Sequence, residues 1–338
     1  MLDQLTASGS AVAGATRKRR VRRIIIIVLS LVLLLTVGAG AAYLAFLNHI
    51  ETTNVTYEAL LPAPDAPLSP GETVPVKEPA AKGAQNILLI GSDSRGTLAN
   101  GRSDVIVLMH ISNDRKKVHL VHFPRDLYVD VPGHGKDKIN AAYAYGGAPL
   151  LVRTLQNLVN VPLDHVAIIG FEGFKAMTDA VGGVDVWAEE ASSEPGFGTV
   201  HKGMNHLDGE AALGFVRERH QLSVGDISRG RRQMAFIKAL MLKTMSKDTL
   251  RNPIRYAEVM DAGTKNLIVD KAFSMADMRA QAVALGELNG NDILYVTAPF
   301  SGFGTSPVGG SIDIVDQARM ARLSIALRND KMASYPPG

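Results

Sequence analysis

The 338-residue chain has no cysteine. Disulfide frameworks, thiolate zinc or iron–sulfur sites and a cysteine nucleophile are thereby excluded, and the fold must rest on packing. Aromatic residues are scarce at 6%, with a single Trp, but 46% of the chain is apolar and 20% is charged. Neither a disordered nor a collagen-like chain has that composition. A Walker A loop and an H-E-x-x-H pair are also missing, and the run from Gly91 to Gly96 fails as a G-x-S-x-G elbow because Ser92 stands where its first glycine belongs. An ATP-dependent enzyme or a serine hydrolase therefore finds no support. The nine histidines are scattered, and His110, His119, His122 and His165 read as strand or core residues.

A broad excess of positive charge is lacking too, once charge is located along the chain. Six of the 36 basic residues and one of the 33 acids fall in residues 1–23, a net of +5 against +3 for the whole protein. Residues 24–47 carry no charge, so residues 48–338 hold the other 30 basic and 32 acidic residues, a net of −2. The basic pI belongs to the tail. The bulk of the chain offers no surplus charge to a phosphate backbone, and no nucleic-acid partner is expected.

What is present begins with Ile24 to Leu47, 24 uncharged and mostly apolar residues. As a helix it would reach roughly 36 Å, enough to cross ~30 Å of hydrocarbon. It reads as one transmembrane helix. The preceding basic tail predicts a cytoplasmic N-terminus and an exported bulk. The alternative is a cleavable signal peptide ending near Ala39-Gly40-Ala41, but apolar residues continue through Phe46, past an ordinary signal core. Residues 48–85 follow with six prolines and no sustained apolar period, so they read as an extended stalk. Residues 86–338 are then expected to form one exported domain.

In that domain short apolar runs predict strands over Asn86–Ile90, Val105–Ile111, Val118–His122, Val166–Ile169, Val184–Trp187 and Ile293–Thr297. Helical periods fall over Ala148–Val159, Phe171–Val181, Gly209–Val216, Ile227–Ser246, Met275–Leu288 and Asp313–Leu327. The Gly-rich stretch from Ser301 to Ser311 reads as a mobile loop. Strands interleaved with helices predict an α/β domain whose sheet is largely buried, with ligand chemistry in loops at strand ends.

Three polar clusters stand at such ends. Asp93 and Arg95 leave the first strand, and Arg102 and Asp104 precede the second. Two carboxylates on adjacent strand ends can converge on Mg²⁺, which takes one or two carboxylates with waters and phosphate oxygens; the plainer alternative is two turns with solvated acids. Arg125, beside Asp126, follows the third strand and can project toward the same edge or form a local ion pair. The densest cluster holds Arg217, Arg219, Asp226, Arg229, Arg231, Arg232 and Gln233, with five arginines in sixteen residues of a domain whose net charge is −2. Guanidinium forks match phosphate oxygens bidentately. Arginines turned inward repel unless an anion joins them, and a pyrophosphate with Mg²⁺ satisfies acids and arginines together.

The ordered segments NILLIGSDSR, RSDVIVLMHI, FPRDLYV, KINAAYAYGGAPLLVRTLQNL, GFKAMTDAVGGVDV, LDGEAALGFVRERH and GDISRGRRQ resemble the LytR-CpsA-Psr family of bacterial cell-envelope proteins. The resemblance implies a three-layer α/β/α domain with an apolar pocket for a polyprenyl chain, one wall of it the apolar side of the helix at 227–246. It implies transfer of a glycan 1-phosphate from a polyprenyl-pyrophosphate carrier to a peptidoglycan hydroxyl. Carried over to this sequence, Asp93 and Asp104 match acids associated with Mg²⁺, for which Mn²⁺ is the alternative. Arg125, Arg217, Arg219 and Arg229 match pyrophosphate-binding arginines, with Asp226 and Gln233 in the same site. Arg95 and Arg102 lie in matching segments. Asp226 is the candidate general base, with the metal-associated acids as alternatives. His134 in the loop 131–138 and the stretch 190–206 are expected to shape the acceptor site. The other reading, from a different class, is a non-catalytic polyprenyl-phosphate-binding envelope protein or regulator of wall assembly.

These readings place the protein in the bacterial cell membrane with its domain outside. Protease applied to spheroplasts should digest residues beyond about position 85 and leave the N-terminus intact. A mature chain starting near Ala42 would show a signal peptide instead of an anchor.

Overall fold

Apolar side chains in the strand runs alternate between two buried faces of one sheet. The computed structural model describes residues 56–92, 103–196 and 198–336. In chain order the strands and helices are β1 (Thr56–Glu58), β2 (Gln85–Ser92), β3 (Ser103–Ile111), β4 (Val118–His122), β5 (Leu127–Val131), β6 (Gly135–Lys138) and α1 (Ile139–Val159). Next come β7 (His165–Gly170), α2 (Phe171–Ala180), β8 (Val184–Ala188), β9 (Ser192–Glu194), β10 (Gly198–Val200), β11 (Gly203–Leu207), α3 (Gly209–Arg217) and α4 (Asp226–Thr244). The chain ends through α5 (Lys247–Arg251), α6 (Pro253–Asn266), β12 (Leu267–Asp270), α7 (Met275–Ala284), β13 (Ile293–Thr297), β14 (Phe300–Thr305), β15 (Ser311–Val315) and α8 (Gln317–Arg328).

Seven strands form the main sheet in the order β1-β12-β7-β2-β3-β4-β13. Leu88, Ile90, Ile106, Leu108, Val121 and Ile168 point to one face, where Leu151 and Leu155 of α1 and Leu323 and Leu327 of α8 cover them. Ile87, Val107, Leu120 and Val269 point to the other, under Met234 of α4 and Met278 of α7. Period-two alternation in the strands thus gives the sheet a helical layer on each side. A third cluster joins α2, α3 and the β8–β11 hairpin around Phe215 and Phe236. A smaller sheet, β14-β15-β5-β6, closes one end.

Several expectations need correction. Residues 301–311 are not a loop: most of them lie in the antiparallel pair β14 and β15, and β15 then runs parallel to β5. The residues from Asp313 to Val315 are accordingly strand, and the helix starts at Gln317. Glycine-rich composition hid a hairpin whose partner strand is supplied by the tertiary fold. The segment read as a free stalk is docked from Thr56 onward: β1 pairs with β12, Leu60 enters the core, Lys77 Nζ lies 2.7 Å from Asp164 Oδ1, and Arg153 and Arg328 bind Glu72 and Glu78. The described residues 56–85 accordingly pack on the domain and do not stand free of it. Prolines keep this segment extended, and extended chain can lie on a domain surface as readily as it can span a gap. The basic tail and the apolar run 24–47 lie outside the described residues, among which no helix is long and apolar enough to cross a membrane.

One close approach fixes α4 against the sheet. A Cβ added to Gly230 would sit 2.3 to 3.0 Å from the ring atoms of His122, which is buried in β4. Burial first, then the Arg229 charge, lowers the His122 pKa to about 4, so the ring is neutral at pH 7. Alanine ordinarily gains ~1 kcal/mol over glycine inside a helix, but overpacking costs about 1–3 kcal/mol, and the buried ring has nowhere to go. Gly230→Ala should therefore lower the Tm by about 2–8 °C. Gly263→Ala on α6, where nothing lies within 4 Å of the added carbon, should not lower it.

Candidate functional site

The carboxyl ends of β2, β4 and β7 and the start of the antiparallel β3 lie on one edge of the main sheet: Ser92 is opposite both Ser103 and Gly170. Asp104 is the second residue of β3 at that edge. Arg125 follows β4 in a turn closed by Leu127 N donating to Pro124 O at 3.0 Å. Asp226 and Arg229 occupy the first turn of α4.

The segment after α3 supplies two more guanidiniums by a simple backbone device. Glu218 is extended (φ −57°, ψ 132°), and side chains two apart in extended chain share a side. Arg217 and Arg219 both line the same cavity, while Glu218 is buried at 1% exposure. The Glu218 Oε1 accepts the backbone N–H of His220 at 2.7 Å and of Gln221 at 3.2 Å, fixing the segment.

These groups converge. Arg125 Nη1 donates to Asp104 Oδ1 at 2.7 Å, and its Nε lies 3.0 Å from Asp226 Oδ2. Arg229 Nη2 donates to the same Asp226 oxygen at 2.7 Å, and Arg219 Nη1 is 3.5 Å from Asp226 Oδ1. Arg217 lies over the ring of Phe171, 4.8 Å from its centre. Three guanidiniums, those of Arg125, Arg219 and Arg229, therefore surround Asp226, with Asp104 and Asp126 also beside Arg125. Burial works against the charge on Arg125, yet Asp226, Asp104 and Asp126 outweigh it and hold its pKa above the ordinary value. For Arg229 burial wins: Asp226 opposes it, but Arg125 and Arg219 reinforce it, and the pKa is held below the ordinary value. A buried cation in that condition is short of anion.

Beside the arginines opens a cavity of about 430 Å³, within the range of ligand sites. Phe236, Ile237, Leu240 and Met241 of α4 form one wall, as the sequence predicts. The facing wall, Phe171, Phe174 and Met177 of α2 with Leu213 and Val216 of α3, was not legible there. Asp104, Arg217, Arg219, Arg229 and Gln233 stand on the cavity lining. Gln233 Nε2 donates to Val216 O at 3.2 Å, and its buried Oε1 has no partner.

The structure thus brings together Asp104, Arg125, Arg217, Arg219, Asp226, Arg229 and Gln233. Asp93, Arg95 and Arg102 lie outside the described residues. Arg231 and Arg232 turn away from the cavity: Arg231 Nε is 3.1 Å from Glu189 Oε2, and Arg232 donates to Ser192 Oγ and Glu190 O. Among the described residues no three His, Cys, Asp or Glu side chains are grouped to hold a metal. Asp104 is nonetheless a hard donor at the cavity, and one or two carboxylates completed by water and phosphate oxygens suit Mg²⁺, so the donor chemistry fits.

The model of the LytR_cpsA_psr family matches residues 48–328. The chain belongs to this family. It is 30% identical over 321 residues to an Enterococcus faecalis protein named polyisoprenyl-teichoic acid–peptidoglycan teichoic acid transferase TagU, covering 93% of this chain and 98% of that one. It is 33% identical over 279 residues to the probable cell wall biosynthesis protein LcpB of Corynebacterium glutamicum, covering 78% of this chain and 66% of that protein. Among solved structures, B. subtilis TagV superposes with a TM-score of 0.66 at 25% identity, over 76% of this chain and 99% of that one. A structure of TagT bound to LI-WTA superposes with a TM-score of 0.62 at 26% identity, over 80% and 99%. The mixed α/β fold of this chain is the fold of these family members.

Sequence reasoning missed the second tier of the family site. Lys138 Nζ lies 2.7 Å from Asp126 Oδ1, and Asp313 N donates to Asp126 O at 2.9 Å. The Asp313 carboxyl is pushed up to about 6, by burial first and then by the charges of Asp126 and Asp226, with Lys138 partly offsetting them. An acid between Ile312 and Ile314 in an alternating strand was the available signal. The folded chain holds this proton where the unfolded chain, with an ordinary value of 3.8, has released it. Its contribution to stability is full below about pH 4 and is lost as pH rises through about 6. Asp313→Asn should therefore gain in Tm relative to wild type between about pH 5 and pH 7.5; a constant difference would contradict the assignment.

Proposed function

We propose that the chain is a Mg²⁺-dependent phosphotransferase that moves a glycan 1-phosphate from a polyprenyl-pyrophosphate carrier to a peptidoglycan hydroxyl, and that it acts on the outer side of the membrane that anchors it. The observation that carries this reading is the juxtaposition of an apolar cavity with a cluster of arginines on its lining. An isoprenoid tail gains about 0.8 kcal/mol per buried CH₂, and a diphosphate offers these arginines charge-assisted hydrogen bonds in place of those to Asp226. The names of the relatives, a polyisoprenyl-teichoic acid transferase among them, support the same class of donor and acceptor.

In this reading Arg125, Arg217, Arg219 and Arg229 bind the diphosphate and neutralise charge that grows on the bridging oxygen. Gln233, held by its bond to Val216 O, lines the cavity beside these arginines. Asp104, with Asp93 as the sequence expects, would hold Mg²⁺, which would supply positive charge to the diphosphate. The acceptor oxygen bonds to the glycan-bearing phosphorus, the bond from that phosphorus to the bridging oxygen breaks, and polyprenyl phosphate leaves with the electron pair. The hydroxyl proton goes to a carboxylate, for which Asp226 is the candidate. In the ligand-free chain both Asp226 oxygens are engaged by arginines. A diphosphate competes for those arginines and so releases Asp226 to take the proton.

Arg217→Ala or Arg219→Ala should cut cleavage of a pyrophosphate-linked lipid about 100-fold or more, whereas Arg231→Ala, paired with Glu189 away from the cavity, should stay within about twofold. The three variants are measured side by side with and without Mg²⁺. Equal activity in all three, or full activity in EDTA, overturns the proposed mechanism, and no cleavage by the wild type favours the non-catalytic polyprenyl-phosphate-binding protein.

A further inference from the structure

A second cavity, of about 280 Å³, lies on the opposite face of the main sheet, where β1 and α1 meet. Its wall is made by Glu58, Tyr143, Tyr145, Gly146, Gly147 and Pro149. The helix is broken there. Gly146 and Gly147 have non-helical backbone, Gly147 at φ +64°, a region open to glycine, and Pro149 has no N–H to give the Tyr145 carbonyl four residues back. The kink therefore leaves main-chain polar groups at the cavity without their helical partners.

Tyr145 is a prepared aromatic surface. Its hydroxyl donates to Asp137 Oδ2 at 2.6 Å, and its ring stacks on His134 at 4.6 Å between centres and 12° between planes. Both restraints hold the ring while its side chain still lines the cavity and is half exposed. A ring fixed in advance loses little freedom when a ligand stacks on it.

The lining selects the ligand. Glu58 is its only charged side chain, so a phosphate is repelled, and main-chain polar groups suit a long alkyl chain badly. A neutral polyhydroxylated ring satisfies all of it: its C–H face stacks on Tyr145, and its hydroxyls donate to Glu58 and to free carbonyls. The partition between the two cavities is thin. Tyr143 lines this one, Ser92 lines the other, and their side chains are hydrogen-bonded. We propose that the cavity between β1 and the α1 kink is a saccharide subsite that seats a pyranose of the acceptor glycan, with Tyr145 as its stacking surface and Glu58 as its hydroxyl acceptor. The proposal rests on the phosphotransferase reading for the identity of the saccharide as acceptor, not for the binding itself.

The test is saturation-transfer NMR on the detergent-solubilised full-length protein with a β-1,4-linked N-acetylglucosamine tetramer as probe. Pyranose protons should receive saturation from the wild type. Tyr145→Ala and Glu58→Gln should each weaken binding about fivefold, Tyr145→Phe should retain most of it, and Arg217→Ala should leave it unchanged. Circular dichroism checks that each variant is folded. No transfer to the wild type, or binding as strong as the wild type's by Tyr145→Ala and Glu58→Gln, overturns the subsite. Binding that persists while the arginine variants keep full activity overturns only the phosphotransferase reading.

Discussion

The organisation of this domain depends on a cluster of opposite charges held in a partly dry place. Among the described residues Arg125, Arg219 and Arg229 gather around Asp226 and engage both of its oxygens, with Asp104 and Asp126 also beside Arg125. Positive charges brought within a few ångströms of each other repel strongly once water is thinned out. The arrangement persists because rigid elements hold each group. Arg125 is tied by the turn after β4, Asp226 and Arg229 by the first turn of α4, and α4 itself by the contact of Gly230 with the His122 ring. Burial, and then the Arg229 charge, keeps His122 neutral beneath that cluster.

An anion-hungry cluster alone does not choose among phosphates. The choice comes from the neighbouring wall. Phe171 serves both functions: it lies under the Arg217 guanidinium and lines the apolar cavity. One end of a ligand that fits must carry concentrated negative charge and the other must be hydrocarbon. A soluble nucleotide offers the first without the second, and a neutral lipid offers the second without the first. The sheet then separates this amphipathic space from the polar cavity at the α1 kink, and the Ser92–Tyr143 hydrogen bond joins a lining residue of each.

Much of this was legible in the sequence, for identifiable reasons. Runs such as Val118–His122 and Ile293–Thr297 have the strand bounds that alternation predicts, because sheet burial on both faces imposes the pattern directly. The arginines were legible because their density is anomalous in a domain whose net charge is negative. Tertiary pairing was not legible. The strand β15 looks like loop and helix start until β5 is placed beside it, and the extended segment that carries Leu60 looks like a spacer until its ion pairs with Asp164, Arg153 and Arg328 are seen. The cavity wall from α2 reads locally as ordinary amphipathic core, since nothing within one helix shows that its apolar face lines a space.

Glu218 raises a question that its position between two functional arginines makes unavoidable: why a carboxylate stands there. It does not pair with Arg217 or Arg219, which turn to the opposite side of the extended backbone. Its Oε2 and the Oε2 of Glu194 are both buried without partners when each is counted as an acceptor. The hydrogen bond to Glu218, then burial, raises the Glu194 pKa; for Glu218 burial is outweighed by Glu194 and by three backbone N–H donors, so its pKa falls. Glu194 is thus the member of the pair that holds a proton to the higher pH. Gln221 clasps Ser193 and Arg232 clasps Ser192, so three successive residues of β9 are stitched to the elements that carry the site arginines. Rigidity of the segment that carries Arg217 and Arg219 is thus obtained from an inward-facing acid that binds the backbone N–H groups of His220 and Gln221.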